Sequence, residues 1–157
     1  VVSVVFEIEF QLQGVGMCSQ EKSIFRKYIV DQGLKSTPQR EIILDEFLRM
    51  EHPSTEELYQ SLRRKHPNIG YATVHRALKL FAECGIATVR NFGDGAQRFE
   101  SCSEDKHHDH LVCTECGLII EFENSQIEKL QQQVAKSHAF TVVDHRLELY
   151  GRCERCS

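Results

Sequence analysis

Seven cysteines occur in this sequence, and four of them form two Cys-x-x-Cys pairs, Cys113-Thr-Glu-Cys116 and Cys153-Glu-Arg-Cys156; Cys18, Cys84 and Cys102 stand alone. Each pair turns two sulfurs toward one centre, and a tetrahedral set of four soft thiolates suits zinc. With every coordination position taken by protein, such an ion has no place for a reacting water. Its expected role is structural, fastening the C-terminal strand to the cysteine knuckle. The competing readings are a disulfide framework and an iron–sulfur cluster. Residues 1–16 lack a basic start and carry Glu7 and Glu9, so no secretory signal is expected to favour the first. Nothing else suggests electron transfer to favour the second.

His107-His108-Asp109-His110 is a ligand run of another kind. In an extended chain, alternation sends His108 and His110 to one side and His107 and Asp109 to the other. One tetrapeptide then offers donors to two metal positions, each completed from elsewhere; His52, Glu100, Glu121, Glu128, His138 and His145 are the candidates. Imidazole with carboxylate suits Fe(II), Mn(II) or Zn(II). The plain alternative is a solvated polar run.

These groups need elements to position them. The length suits one domain or two small ones, and 41% hydrophobic with 27% charged residues is ordinary globular usage. No apolar stretch is long enough to span a membrane. A cytoplasmic protein without a membrane partner is expected. The net charge of −4 is unevenly spread: residues 17–99 hold 13 Lys+Arg against 10 Asp+Glu, and residues 100–157 hold 6 against 11. A mildly basic half joined to an acidic, cation-seeking half is the pattern.

From Glu21 the spacing is helical, with Ile24, Tyr28 and Ile29 on the apolar face and Gly33 as a stop. Thr37-Pro38 caps a second helix with Ile42, Ile43, Phe47 and Leu48 inward. Ser54-x-x-Glu57 is a capping box for a third, with Leu58 and Leu62 inward. The fourth, about Tyr71 to Cys84, sets a core stripe of Val74, Ala77, Leu78 and Phe81 against Ala72, His75, Arg76 and Lys79. A small residue flanked by donors is how a major-groove helix is built, although an ordinary solvated face has the same look. Ile86–Phe92 and Ala96–Phe99 flank Gly93-Asp-Gly95 as a hairpin, and helices ending in a β-ribbon suggest a winged helix-turn-helix. Arg90, Arg98 and Lys35 are candidates for phosphate contact. After Phe99 the composition turns acidic: strands at Leu111–Cys113 and Leu118–Phe122, a helix capped by Ser125-Gln-Ile-Glu128, and a β-rich run Phe140–Tyr150 follow. The expected fold class is α+β. Residues 1–16 are an extension, disordered or non-native, with Met17 the natural start; 17–99 form the winged-helix DNA-binding domain; 100–157 form a small α/β dimerisation and metal-sensing domain.

Pro38-Gln-Arg40, Ala72-Thr-Val-His-Arg76, the His107–Gly117 run with its cysteine knuckle and the terminal Cys-x-x-Cys follow in order over about residues 20 to 156. Together they resemble the ferric uptake regulator family. The resemblance implies a winged helix that binds operator DNA and a C-terminal domain that dimerises and senses divalent metal. Position by position, it implies structural zinc at Cys113, Cys116, Cys153 and Cys156. It further implies a regulatory ion held between the domains by His52, Glu100, His108, His110 and Glu121, and an additional site of His107, Asp109, Glu128 and His145. Contact with DNA would come from Lys35, Ala72, Thr73, His75, Arg76 and Lys79. His75 stands where the family usually has Tyr, which bears on how thymine-rich sites are read.

The expected function is a metal-responsive transcriptional regulator, a repressor with ferrous iron as co-repressor, Mn(II) or Zn(II) being the alternative ions. Its partners are double-stranded operator DNA, AT-rich and palindromic, and a second copy of the chain, with tetramers left open. It is not expected to be an enzyme. A zinc-uptake regulator is the runner-up, favoured by Cys102 near the regulatory ligands. A zinc hydrolase using Glu100 or Glu121 as base is the reading from another class. Glu100 and Glu121 stand where the peroxide-sensing branch tends to use Asp, which argues against peroxide sensing.

Overall fold

Thr37 and Ser54 start helices as their types require. In the computed structural model, which describes residues 20–102 and 108–157, Thr37 accepts a hydrogen bond from the Arg40 N–H and opens α2 (Pro38–Phe47). Ser54 and Glu57 exchange side-chain and backbone bonds in a capping box that opens α3 (Thr55–Arg63). α1, helical over 20–31, precedes them, and α4 (Tyr71–Glu83) follows. Two strands, β1 (Ala87–Arg90) and β2 (Arg98–Ser101), pair antiparallel across the glycine-rich turn. The chain then divides between Asp105 and Lys106 into two compact units.

The first unit has a closed apolar core. Val74, Ala77, Leu78 and Phe81 of α4 are buried with Ile43, Leu44, Phe47, Leu58 and Leu62. Phe81 sits at its centre, its ring centroid 5.2 Å from that of Phe25 and 5.6 Å from that of Phe47. That anchor decides the face of α1. Phe25 and Ile29, at i and i+4, turn inward, whereas Ile24 is 41% exposed and Tyr28 half-buried, so the expected stripe is rotated by one position. On α2, Leu44 takes the buried place and Ile42 and Leu48 are half-buried. The unit runs past Phe99, where the sequence reading ended it, because β2 pairs along its length with β1 and the Cys102 N–H donates to the Ile86 carbonyl.

The second unit holds β3 (Asp109–Cys113), β4 (Ile119–Phe122), α5 (Ser125–Ser137) and β5 (Glu148–Gly151). The sheet order is β4-β3-β5, antiparallel on one side and parallel on the other. Asn124, not Ser125, caps α5, accepting from the Gln126 and Ile127 N–H groups. Only the end of the expected β-rich run is strand. Its start is spent on closing α5, since Ala139 is left-handed (φ 51) and the Phe140 N–H donates to the Ala135 carbonyl; strand begins where β3 offers an edge. Among the described residues of this unit, the buried apolar side chains are Val112 and Cys113, and α5 buries none. The expected extension 1–16, with Met17, lies outside the described residues. No described helix is long and apolar enough to cross a membrane.

Candidate functional site

β3 carries the ligand run into a sheet and the cysteine knuckle out of it. Gly117 is left-handed (φ 71) and donates to the Cys113 carbonyl, while the Cys113 N–H bonds the Leu118 carbonyl, so the chain reverses over Cys113–Gly117. The parallel register sets Cys113 opposite Gly151, which delivers Cys153 to the knuckle. Thr114 seals the approach, its N–H and hydroxyl both donating to the Gly151 carbonyl.

The four sulfurs of Cys113, Cys116, Cys153 and Cys156 lie within 4.8 Å of one another. Zinc–sulfur bonds of about 2.3 Å at tetrahedral angles set sulfurs roughly 3.8 Å apart. Cys116 Sγ and Cys153 Sγ are 3.7 Å apart, so the donor set fits zinc in number, type and spacing. The electrostatics suit a cation too. N–H groups of Cys116, Cys153 and Glu115 aimed at Cys113 hold its thiol down at about 6. Cys156, hydrogen-bonded by the sulfurs of Cys116 and Cys153, is pushed up to about 12. A knuckle that already stabilises one thiolate and crowds protons onto another sulfur gives up protons to a metal.

On one side of β3, the rings of His108 and His110 are 5.1 Å apart, and His108 Nε2 is 3.7 Å from Glu121 Oε1 of β4. The register explains this, since His110 pairs with Glu121. On the other side, the buried Asp109 meets α5 and the segment after it: His145 Nε2 is 3.3 Å from Glu128 Oε1 and 3.9 Å from Asp109 Oδ1. Bonds of about 2.0–2.2 Å from nitrogen and oxygen place neighbouring donors roughly 3 to 3.5 Å apart, so this trio also has ligand spacing. His107 lies outside the described residues. His138 is the exposed C-cap of α5 and joins none of these groups.

The first unit contributes His52 and Glu100, both buried, with His52 Nε2 4.0 Å from Glu100 Oε2. His52 is itself left-handed (φ 45). An arginine holds it there, which spacing arguments missed. Arg98 NH1 donates to the His52 carbonyl at 3.0 Å and to Glu57 Oε2 at 2.8 Å, while its Nε bonds Asp94 Oδ2 at 2.8 Å. The helix-capping Glu57, the ribbon tip and the His52 loop are thus tied to one guanidinium, which gives Arg98 a structural role in the first unit. The Ser54-x-x-Glu57 box and the hairpin register together would have pointed to it. Arg98→Ala is expected to destabilise the first unit by about 1.5–3 kcal/mol, the range of one hydrogen bond to a charged group, since Glu57 and Asp94 regain water. Thermal melting of the variant checks this. Arg90 is also engaged internally, bonded to Glu100 at 2.6 Å.

α4 presents Ala72, Arg76 and Lys79 to solvent, with Thr73 and His75 half-buried, and Lys35 is exposed ahead of α2. Cys102 lies beyond Glu100, its Sγ 3.1 Å from Thr88 Oγ1.

A family model described as the ferric uptake regulator family matches residues 31–150. The ferric uptake regulation protein of Campylobacter jejuni is 40% identical over 136 residues, covering 85% of this chain and 86% of the relative. The peroxide operon regulator of Bacillus subtilis is 34% identical over 142 residues, covering 90% and 97%. The solved ferric uptake regulator of Helicobacter pylori, described as revealing three functional metal binding sites, superposes with a TM-score of 0.81 at 30% identity, covering 88% of this chain and 93% of that one.

Proposed function

The chain belongs to the ferric uptake regulator family of metal-responsive transcriptional regulators, and from this premise we propose that it is an Fe(II)-dependent repressor of iron-uptake genes. Members of that family are DNA-binding regulators and not enzymes, which closes the hydrolase reading. The observation that carries the proposal is the split donor set: His52 with Glu100 in one unit, and His108 with His110 and Glu121 in the other. A divalent ion supplies one centre that all five donors can share. His52 and Glu100 then fix the DNA-binding unit relative to the unit that carries His108, His110 and Glu121. Without that shared centre the units sample many orientations, and the one that presents both recognition helices of a dimer to half-sites about 34–36 Å apart is rare.

The remaining roles follow the same premise. Cys113, Cys116, Cys153 and Cys156 hold structural zinc. Asp109, Glu128 and His145, with His107, hold an additional ion. Lys35, Ala72, Thr73, His75, Arg76 and Lys79 face an AT-rich, palindromic operator. The second copy of the chain covers the apolar side of α5, where Leu130 is 59% and Val134 60% exposed beside Phe140 at 69%; a solvated monomer gains nothing from such a patch. Dimers pairing into tetramers and a cytoplasmic location belong to the same reading.

Iron is preferred over zinc because the regulatory donors are imidazoles and carboxylates, while the Cys102 sulfur is engaged by Thr88. Gel-shift titration of a palindromic AT-rich duplex tests this, starting from protein whose zinc just fills the cysteine site. Fe(II) or Mn(II) is expected to drive the complex, and a chelator to dissolve it. A complex driven by Zn(II) at far lower free concentration than by Fe(II) would show a zinc-responsive regulator instead.

A further inference from the structure

Arg90 of β1 lies directly opposite Arg98 of β2. Two guanidinium groups facing each other across an antiparallel pair repel unless each has an anion of its own. Arg98 has Asp94 and Glu57. The anion of Arg90 is Glu100, at 2.6 Å, with the two side chains only 20% and 10% exposed. Strand alternation produces this contact, since Glu100 is two residues from Arg98 and shares its face of the ribbon.

The same carboxylate oxygen, Oε2, that Arg90 holds is the one 4.0 Å from His52 Nε2. Two cations therefore contend for one oxygen: the guanidinium, and the divalent ion assigned above. We propose that Arg90 is a positioning residue that exchanges partners, holding Glu100 until Glu100 turns to the divalent ion and then pairing with a phosphate of the duplex. The inference rests on Glu100 belonging to the regulatory set.

The exchange has two consequences. Arg90 competes with metal and so lowers the regulatory site's affinity. Once Glu100 turns away, Arg90 is left facing Arg98, whose own carboxylates are already taken, and pairing with a backbone phosphate restores its anion, so metal occupancy adds a cation to the DNA-binding surface. No conformational signal through the core is needed for that addition.

Arg90→Gln separates these effects. Mn(II), which thiolates bind poorly, is titrated against wild type and variant and followed by electron paramagnetic resonance. One class of Mn(II) sites is expected to tighten on the order of tenfold, the scale of one charge-assisted hydrogen bond. The slope of log duplex affinity against log salt is expected to be shallower by about one for the Mn(II)-loaded variant and unchanged for the metal-free one. Arg90→Lys, which keeps the charge, should keep the wild-type slope, and Arg90→Met, with the same shifts expected as for Arg90→Gln, serves if the Gln variant does not fold. Unchanged or weaker Mn(II) binding by Arg90→Gln, or equal slopes in the loaded proteins, overturns the proposal. Glu100→Gln tells this from a failure of the reading beneath it. If that variant loses the metal response while Arg90→Gln shifts nothing, the role of Arg90 alone is wrong; if it keeps the wild-type response, the regulatory set itself is wrong.

Discussion

Cys113→Ser is expected to unfold the second unit while leaving the thermal transition of the first in place. The first unit has its own core around Phe25, Phe47 and Phe81. The second has Val112 and Cys113 as its buried apolar side chains among the described residues, and an α5 that buries nothing by itself. A unit that small and that poorly filled needs a covalent, metal or subunit contribution to fold. Structural zinc in small domains supplies roughly 10–16 kcal/mol, which is more than most domains have to lose. Calorimetry should therefore show one transition in place of two, with zinc content near zero and dimers lost in sedimentation. Full zinc content, or dimers that survive its loss, would remove the structural role.

The same site has a pH signature with a definite sign. A thiol that is already ionised gives up no proton to zinc, so it adds nothing to the pH dependence of binding. Cys113, held at about 6, is in that condition near neutrality, whereas Cys156, held at about 12, must lose its proton at every working pH. Zinc affinity should weaken as pH is lowered, and the loss should steepen by about one log unit per pH unit below pH 6, where Cys113 begins to take a proton as well. Competition titrations against a chelator of known pH dependence, run from pH 8 to pH 5, measure the break.

The cysteine pairs were legible because Cys-x-x-Cys is local: its spacing already dictates where the sulfurs point, and the partner pair needs only to arrive. The alternation of His108 and His110 against Asp109 followed from strand geometry for the same reason. Helix starts at Thr37 and Ser54 were likewise legible, since the capping atoms lie within three residues of each other. What did not follow was anything set by a distant partner. Ile24 and Phe25 are equally good inward residues by pattern, and only the ring of Phe81 selects Phe25. The run Phe140–Tyr150 reads as strand throughout, yet an edge to pair with exists only from Glu148 on. Arg90 and Arg98 look like phosphate ligands in a list of basic residues; the carboxylates that hold them are ten residues away or more for Arg90–Glu100 and Arg98–Glu57, across a hairpin or a helix. In the second unit, α5 carries Ile127, Leu130 and Val134 at helical spacing. Leu130 and Val134 are largely exposed, since among the described residues none covers that face.

His52→Asn and His108→Ala, one substitution from each unit, should produce the same defect, a loss of metal-dependent duplex affinity of about 100-fold at a metal concentration that saturates the wild type. Asn is chosen at position 52 because His52 is left-handed, and Asn tolerates that backbone better than Ala does. Holding two units in one orientation out of many requires a large differential: moving a population from 1:99 to 99:1 takes about 5.5 kcal/mol of preferential binding. No single ligand can supply that from one unit, because an ion bound by His108, His110 and Glu121 alone has equal affinity for every orientation and shifts none of them. The coupling must therefore fail whichever side of the shared set is cut, while affinity in the absence of metal stays as it was. His145→Ala is the contrast, since His145, Glu128 and Asp109 all belong to the second unit. It should lower metal content with a much smaller effect on the duplex. Electrophoretic titration at buffered free metal reads all three variants. Should His108→Ala lose the metal response while His52→Asn keeps it in full, His52 is not a ligand of the shared set and the bridging assignment is wrong.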